Sequence, residues 1–130
     1  MRLLLDTHAW LWFYLGDTQL SDQARSQIVD PANTKLISPA SYWELAIKIS
    51  LGKYVLHEPF DQFVQHALID NGFLILPIEP QHAAHVATLP FVPRHNDPFD
   101  RLLVAQAIVE QIPMISNDAA FDAYGITRIW

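Results

Sequence analysis

Short apolar runs alternate along the chain with longer stretches whose apolar residues recur at helical spacing. An apolar run of three or four residues that ends in a polar or turn-forming residue is typical of a strand buried on both faces of a parallel sheet. Apolar residues three and four positions apart are typical of an amphipathic helix. The predicted strands cover residues 3–5, 35–38, 73–76, 114–116 and 127–129.

Proline, serine and glycine mark where the helices begin and end. Ser38 followed by Pro39 combines an N-cap side chain with proline at the first helical position, and Gly52 is the residue type that commonly follows a helix. A helix over 39–51 is therefore predicted. The other predicted helices cover 7–15, 22–29, 59–72, 81–89 and 98–111, with a helical turn over 118–123.

The alternation of strands and helices indicates the fold class. It favours an α/β domain with right-handed crossovers and a parallel sheet. A length of 130 residues suits one domain, and 51% hydrophobic against 17% charged residues excludes a disordered chain. We predict a single domain over 1–130, with a central parallel sheet of about five short strands flanked by helices.

The charge and cysteine content exclude several functional classes. With 8 basic and 14 acidic residues the net charge is −6, which argues against a basic coat for nucleic acid. The absence of cysteine excludes disulfide scaffolds and cysteine-ligated metal sites. The longest stretch without a charged residue, 80–93, is shorter than the ~20 residues of a membrane span, and Asp6 interrupts the apolar N-terminus. We expect a cytoplasmic protein without membrane contact.

Two of the predicted strands lead into acidic residues. Asp6 follows the strand over 3–5 directly, and Asp118 comes shortly after the strand over 114–116. Ligands of open parallel sheets bind beyond the carboxyl ends of the strands, so both acids are expected at the edge where a site would form. Capping of the next helix explains each acid equally well when it is taken alone.

Three further acids lie inside predicted helices or at their start. Glu44 lies in an apolar stretch, where it either reaches a site or forms an exposed ion pair with Lys48, and for an isolated glutamate the ion pair is favoured. Asp97 suits the N-cap of the helix that begins at Pro98. Asp100 lies in the first turn of that helix and projects toward the edge of the sheet where the strand-end acids are expected.

Convergence of these acids favours a metal site over separate structural roles. Two unit charges ~4 Å apart repel by about 4 kcal/mol at an effective dielectric near ~20, so clustered carboxylates require protonation, basic neighbours or hard cations. Oxygen ligands select Mg²⁺ or Mn²⁺ over zinc, and such ions serve displacement at phosphate. The acids expected to meet are Asp6, Glu44, Asp100 and Asp118.

Histidines and glycines narrow the chemistry further. His8 and His95 adjoin the acidic positions, whereas His82 and His85 share a helical face without nearby acids, so a zinc site at that pair is disfavoured. With only 4 glycines, the chain contains neither a glycine-rich phosphate loop nor a dinucleotide fingerprint. Nucleotide-cofactor enzymes are therefore not favoured.

Four segments between residues 4 and 121 carry a family resemblance. They are Leu4-Leu5-Asp6-Thr7-His8, Ser41-x-x-Glu44, Asp97-Pro98-Phe99-Asp100-Arg101-Leu102-Leu103-Val104-Ala105-Gln106-Ala107 and Ser116-Asn117-Asp118-x-x-Phe121. In this order and spacing they resemble the signature blocks of PIN-domain ribonucleases. More closely, they resemble the VapC-type toxins of bacterial toxin–antitoxin modules.

The resemblance implies a metal-dependent endoribonuclease toxin that forms a homodimer and is inhibited by a small cognate antitoxin. Asp6, Asp100 and Asp118 match the family's principal ligands for Mg²⁺ or Mn²⁺. Glu44 matches the acid that helps to hold a metal or orient water, and Asp97 matches an additional acid of the closest subgroup. The implied reaction is hydrolysis of an RNA phosphodiester that leaves 5′-phosphate and 3′-hydroxyl ends.

Other residues are candidates for supporting roles. Ser116 or Asn117 stands where the family often has a hydroxyl that supports the site, and Asp122 and His8 are candidates for lining the cleft. Arg101 is equally suited to pairing with acids near the start of its own helix. The candidate phosphate contacts are Arg94, Arg101, Lys48 and Lys53.

Two alternative functions stay open. One is a catalytically weak PIN-fold interaction module, because the aromatic residues of the first helix offer more surface than a small core needs, although core packing is the favoured explanation for them. The other is a phosphatase with Asp6 as nucleophile, but His8 stands where such enzymes have a second acid. The aromatic residues are Trp10, Trp12, Phe13 and Tyr14.

Overall fold

The computed structural model describes all residues 1–130 and contains one parallel five-stranded sheet. The strands are β1 (Arg2–Leu5), β2 (Thr34–Ile37), β3 (Leu74–Ile75), β4 (Met114–Ile115) and β5 (Arg128–Ile129). They lie in the order β3-β2-β1-β4-β5, and every neighbouring pair is parallel. The expected α/β class and the expected number of strands are confirmed.

Helices connect the strands. They are α1 (Thr7–Leu15), α2 (Asp22–Val29), α3 (Pro39–Ser50), α4 (Phe60–Val64), α5 (Pro80–Thr88) and α6 (Pro98–Glu110). A π-helical turn over Gln65–Ile69 continues α4, and a 3₁₀ helix covers Ala119–Tyr124. No helix is both long and apolar enough to cross a membrane.

The caps of α3 form as the sequence predicts. The hydroxyl of Ser38 accepts a hydrogen bond from the amide of Ala40 at 3.1 Å, and Pro39 occupies the first helical position. After the helix, Gly52 adopts a left-handed backbone with φ of 71°, which glycine tolerates because it has no Cβ. These local signals fix the ends of the helix that carries Glu44.

The central strand β1 is buried on both faces, as its apolar run predicts. Leu3 and Leu5 pack in one cluster with Trp10 of α1 and Phe63 of α4, whereas Leu4 packs in a second cluster with residues of α6. All three leucines are fully buried. Burying a leucine stabilises the fold by about 1.5–3 kcal/mol, so β1 anchors both layers of the core.

The aromatic residues of α1 belong to the core. Trp10 is fully buried, its indole Nε1 donates to the carbonyl of Ala67 at 2.8 Å, and its ring lies 5.3 Å from that of Phe63. Core packing, the favoured explanation of this aromatic stretch, accounts for all four residues. The other three, which are partly buried against the same cluster, are Trp12, Phe13 and Tyr14.

Strand β3 differs from its prediction. The apolar run over 73–76 predicts a buried strand, but the two residues that pair with β2, Leu74 and Ile75, are 56% and 46% exposed. β3 lies at the edge of the sheet, so only the flanking Phe73 and Leu76 are buried. The prediction of a buried third strand is therefore wrong for its paired residues, because a short apolar run does not reveal whether a strand is central or peripheral.

Substitutions in the paired strands β2 and β3 test whether the residues of β3 are exposed in solution. Leu36 and Leu74 are register partners, yet Leu36 is only 4% exposed. We expect Leu36→Ala to lower the free energy of unfolding by about 2–5 kcal/mol because it leaves a core cavity. Leu74→Ala should cost less than about 1 kcal/mol. Chemical denaturation measures both values, and equal losses would mean that the outer side of β3 is covered in solution.

Candidate metal centre

Five acidic side chains line one cleft at the carboxyl edge of the sheet. Four of them are the acids expected to meet, and the fifth is the additional acid at the start of α6. Their elements are separate in sequence but adjacent in space, since β1 pairs with β4 and α3 packs on α6. The five acids are Asp6, Glu44, Asp97, Asp100 and Asp118.

Asp6 is both a helix cap and a residue of the cleft. Its Oδ1 accepts a hydrogen bond from the amide of Ala9 at 2.8 Å, which caps α1. The side chain is only 6% exposed, and this burial raises the pKa of Asp6, while hydrogen bonds from Ser116 and Ala9 act in the opposite direction. Capping and a place in the site are therefore not alternatives for this residue.

Ser116 connects the acids that follow β1 and β4. Its buried hydroxyl accepts from the amide of Asp118 at 3.0 Å and lies beside Asp6, where it partly offsets the rise in the pKa of that carboxyl. Asp118 in turn accepts from the amide of Ala120 at 3.0 Å and caps the 3₁₀ helix. One hydroxyl thus holds both strand-end acids in register. Asn117 also lines the cleft but is exposed.

The two acids at the start of α6 have different environments. Asp97 caps the helix, because its Oδ1 accepts from the amides of Phe99 at 2.8 Å and Asp100 at 3.1 Å. Asp100 is partly buried, and burial together with the negative charges of Asp97 and Glu44 raises its pKa to about 7. Asp6 and Asp118 add to the same effect. Repulsion from the other acids of the cleft therefore adds to the effect of burial on the pKa of Asp100.

Glu44 both forms the ion pair with Lys48 and reaches the cleft, two arrangements between which its sequence context does not decide. Its Oε2 lies 3.5 Å from Nζ of Lys48, so the i,i+4 ion pair is present. Glu44 is nevertheless only 9% exposed and lines the cleft with Lys48. The favoured explanation, an ion pair on an exposed face, is therefore wrong about the exposure of the carboxylate.

Cations near the five carboxylates are scarce. Only Glu44 and Asp100 have a basic side chain within 4 Å, namely Lys48 and His95. The other three acids have no such partner. A set of converging carboxylate oxygens with so little neutralising charge fits a divalent cation, which binds oxygen ligands and lowers their mutual repulsion.

His95 joins this set, and sequence reasoning did not select it as a site residue. It is 5% exposed, with Nε2 3.5 Å from Oδ2 of Asp100 and Nδ1 2.7 Å from the hydroxyl of Tyr124. One potential ligand atom each from His95, Asp100 and Asp118 lie within 4.8 Å of one another. The available signal was its position two residues before Asp97.

Two candidate residues have other roles. Asp122 does not line the cleft, because Arg128 holds it through two hydrogen bonds of 2.8 and 3.0 Å. Arg101 is buried, and its guanidinium donates to the carbonyls of Leu89 and Pro90, both at 3.0 Å. It forms no ion pair with the acids near its helix start and does not line the cleft. The predictions for Asp122 and Arg101 are therefore wrong.

The remaining basic and histidine candidates are divided between the cleft and its surroundings. His8 and Lys48 line the cleft. Arg94 and Lys53 are exposed and are not part of its lining. The structure thus brings together the five acids predicted for the metal site but only one of the predicted phosphate-binding cations.

Comparisons with known proteins place the chain in a family. The family model described as the PIN domain matches residues 3–126. Ribonuclease VapC16 of Mycobacterium tuberculosis (strain ATCC 25618 / H37Rv) is 34% identical over 64 residues, which cover 49% of this chain. The match spans 45% of that relative, so it covers less than half the length of the curated protein.

Solved structures share the fold at low sequence identity. A DNA-bound VapBC from Salmonella typhimurium superposes with a TM-score of 0.70 at 17% identity, over 98% of this chain and 96% of that chain. VapBC-1 from nontypeable Haemophilus influenzae gives a TM-score of 0.69 at 18% identity, with the same coverage of both chains. Since the family model matches the chain from β1 to beyond the 3₁₀ helix, the chain belongs to the PIN domain family.

Proposed function

We propose that this chain is a divalent-metal-dependent endoribonuclease and the toxin of a toxin–antitoxin module. The observation that carries the proposal is the convergence of five carboxylates in one cleft with basic side chains beside only two of them. The similarity to Ribonuclease VapC16 supports the choice of RNA as substrate. The proposed place of action is the cytoplasm.

In this proposal Asp6, Asp100 and Asp118 hold Mg²⁺ or Mn²⁺, directly or through water. Glu44 helps to hold the ion or orients water, and Asp97 supports the site mainly as the cap of α6. A bound divalent ion supplies positive charge for the phosphate and lowers the pKa of a coordinated water. The products are expected to carry 5′-phosphate and 3′-hydroxyl ends.

Other side chains of the cleft suit a single-stranded RNA. Lys48 offers an ammonium group beside Glu44, where it can contact a phosphate. Trp12 also lines the cleft, and its ring stands 5.5 Å from that of His8. Aromatic rings at a binding surface stack on unpaired bases, and stacking contributes about 1–3 kcal/mol per base. We therefore place the unpaired nucleotides next to the scissile phosphate over Trp12.

The proposal includes a small cognate antitoxin and a homodimer as partners. Large apolar side chains are exposed outside the cleft, among them Trp43 at 60% and Phe91 at 87%. Trp43 also borders an apolar groove with Tyr42, Phe60 and Ile78. Exposed apolar surface of this kind is typical of protein-binding sites. The VapBC structures with the same fold support a partner protein of the antitoxin type.

Metal-dependent RNA cleavage is the first test of this function. We expect the purified chain to cleave single-stranded RNA with Mg²⁺ or Mn²⁺ and EDTA to stop it, because the carboxylates alone offer no positive charge to the phosphate. Asp6→Asn should lower the rate by about 100-fold or more. Electrophoresis of labelled RNA measures the cleavage.

The matched control is Asp61→Asn, which removes an exposed acid outside the cleft and should leave the rate unchanged. Equal activity of the wild type and Asp6→Asn would refute the proposal. Complete absence of cleavage under all metal conditions would favour the non-catalytic interaction module.

The pKa of Asp100 leads to a prediction about stability. Because its pKa is about 7 in the folded chain and near 4 when unfolded, the folded state binds this proton more tightly. The contribution of Asp100 to the stability of the metal-free protein should therefore be lost as the pH rises from about 4 to about 7. In EDTA, the Tm difference between Asp100→Asn and the wild type, in favour of the variant, should therefore increase as the pH rises over this range.

Differential scanning calorimetry in EDTA measures this difference, with Asp61→Asn as the control that shows no growth with pH. Adding Mn²⁺ at pH 8 should raise the Tm of the wild type because the cation offsets the repulsion. A difference that is constant from pH 4 to pH 8 would contradict the electrostatic interpretation of Asp100.

Expression in bacteria tests the toxin role. We expect the wild type to arrest growth and Asp6→Asn to be tolerated, since arrest depends on cleavage. Co-expression of a short reading frame that abuts this gene upstream should restore growth if it encodes the antitoxin. Growth curves measure the effect, and arrest that persists with Asp6→Asn at equal protein level would separate toxicity from cleavage.

A further inference from the structure

His95 is buried beside the acids of the cleft with one ring nitrogen unused. Its side chain is 6% exposed, and Nε2 lies 3.5 Å from Oδ2 of Asp100 without any hydrogen-bond partner. Buried polar atoms in native proteins nearly always have a partner, because an unpaired one costs free energy. The free nitrogen therefore indicates a ligand that binds between His95 and the acids.

The hydrogen bonds on the other side of the ring determine which nitrogen carries the proton. The hydroxyl of Tyr124 donates to the backbone carbonyl of His95 at 3.3 Å, and Nη1 of Arg101 donates to the hydroxyl oxygen at 3.5 Å. Nδ1 of His95 lies 2.7 Å from this oxygen, and with the hydroxyl proton directed to the carbonyl the ring proton is assigned to Nδ1. The neutral ring then carries a free lone pair on Nε2, which is the form that binds metals.

This lone pair faces the acids of the candidate metal centre. Ligand atoms of His95, Asp100 and Asp118 lie within 4.8 Å of one another. Two ligands of one ion, each ~2.1 Å from it, stand about 3–4 Å apart. Small side-chain adjustments therefore suffice for these three residues to bind one cation together.

We propose that Nε2 of His95 is a direct ligand of the divalent metal, alongside Asp100 and Asp118. This inference rests on the proposed function and deepens it, because it changes the expected metal preference. A site of oxygen ligands alone suits Mg²⁺ or Mn²⁺, whereas an imidazole ligand shifts the preference toward later first-row transition ions such as Co²⁺. Tyr124 is then a positioning residue that fixes the tautomer and orientation of the ring.

Pulsed electron paramagnetic resonance of bound Mn²⁺ is the direct test. We expect wild-type protein loaded with less than one equivalent of Mn²⁺ to show ¹⁴N modulation from a coordinated imidazole. His95→Gln should lose this modulation. His8→Gln should keep it and is the matched control, since His8 also borders the acids of the cleft. Loss in His8→Gln with retention in His95→Gln would overturn the assignment.

Metal affinity gives a second measurement that does not depend on activity. By isothermal titration calorimetry, His95→Gln should raise the Kd for Co²⁺ about 10–100-fold and the Kd for Mg²⁺ by less than about threefold. Tyr124→Phe should raise the Kd for Co²⁺ by about tenfold, because the ring loses the group that orients it. Equal weakening of both ions in His95→Gln would mean that His95 only supports the fold, which overturns the inference.

The outcomes separate this inference from the proposed function. Mn²⁺ binding that requires Asp6 but shows no ¹⁴N modulation leaves the proposed metal centre in place and overturns the role of His95. Failure of the wild type to bind Mn²⁺ overturns both. If His95→Gln does not fold, the His8→Gln protein labelled with ¹⁵N-histidine replaces it in the test. A histidine ligand predicts that the modulation changes to ¹⁵N frequencies. Unchanged ¹⁴N modulation would refute a histidine ligand.

Discussion

Mutual repulsion among acids held at the beginnings of helices is the constraint on which the site depends. Asp6, Asp97 and Asp118 cap α1, α6 and the 3₁₀ helix, with amide hydrogen bonds of 2.8, 2.8 and 3.0 Å. A helix N-terminus stabilises a nearby carboxylate by about 0.3–1 kcal/mol. Two charges ~5 Å apart repel by about 3 kcal/mol at an effective dielectric near ~20. The caps therefore position the acids without offsetting their repulsion, which protonation of Asp100 or a bound cation relieves.

The sheet topology explains why acids so far apart in sequence meet. β1 and β4 are neighbours in register, and the amide of Asp6 donates to the carbonyl of Ile115 at 3.1 Å. Asp6 and Ser116 are therefore level at the ends of adjacent strands, and the hydroxyl of Ser116 reaches both Asp6 and Asp118. In each capping carboxylate one oxygen accepts a hydrogen bond from a helix amide, and the second oxygen is free to bind a cation. The same residues therefore stabilise the fold and form the site.

The sequence reveals the parts of this fold that local chemistry determines. Ser38, Pro39 and Gly52 place α3 because a cap and a left-handed turn depend on a few neighbouring residues. The segment 59–72 also predicts a regular helix, yet it becomes a π-helical turn after Val64. Within that turn the carbonyl of Ala67 accepts from the distant indole of Trp10. Such a long-range contact has no local signature, and the same limit applies to the exposed edge position of β3.

The residues of the site also divide into those that the sequence reveals and those that depend on long-range packing. The acids can be recognised in the sequence because their order and spacing form motifs. Arg101 is predicted to contact phosphate, but the sequence does not show that its side chain is buried and bonded to backbone carbonyls. Leu89 is the C-cap residue of α5, and the carbonyls at the end of a helix lack partners within it, so the buried guanidinium of Arg101 donates to the carbonyl of Leu89 instead. His95 was overlooked for the opposite reason. The sequence shows that His95, like His8, adjoins the acidic positions, but only the packing against Phe121 and Tyr124 shows that it is buried beside Asp100.

The location of the acidic residues changes how the net negative charge of the chain is interpreted. With the five acids of the cleft set aside, the remaining acids outnumber the 8 basic residues by only one. The excess charge is therefore concentrated where an RNA phosphate would have to enter, and of the candidate lysines and arginines only Lys48 lines that cleft. A phosphate approaching the metal-free cleft meets net repulsion. For the proposed function this means that metal binding would precede or accompany RNA binding, so the cation would serve substrate affinity as well as the chemical step.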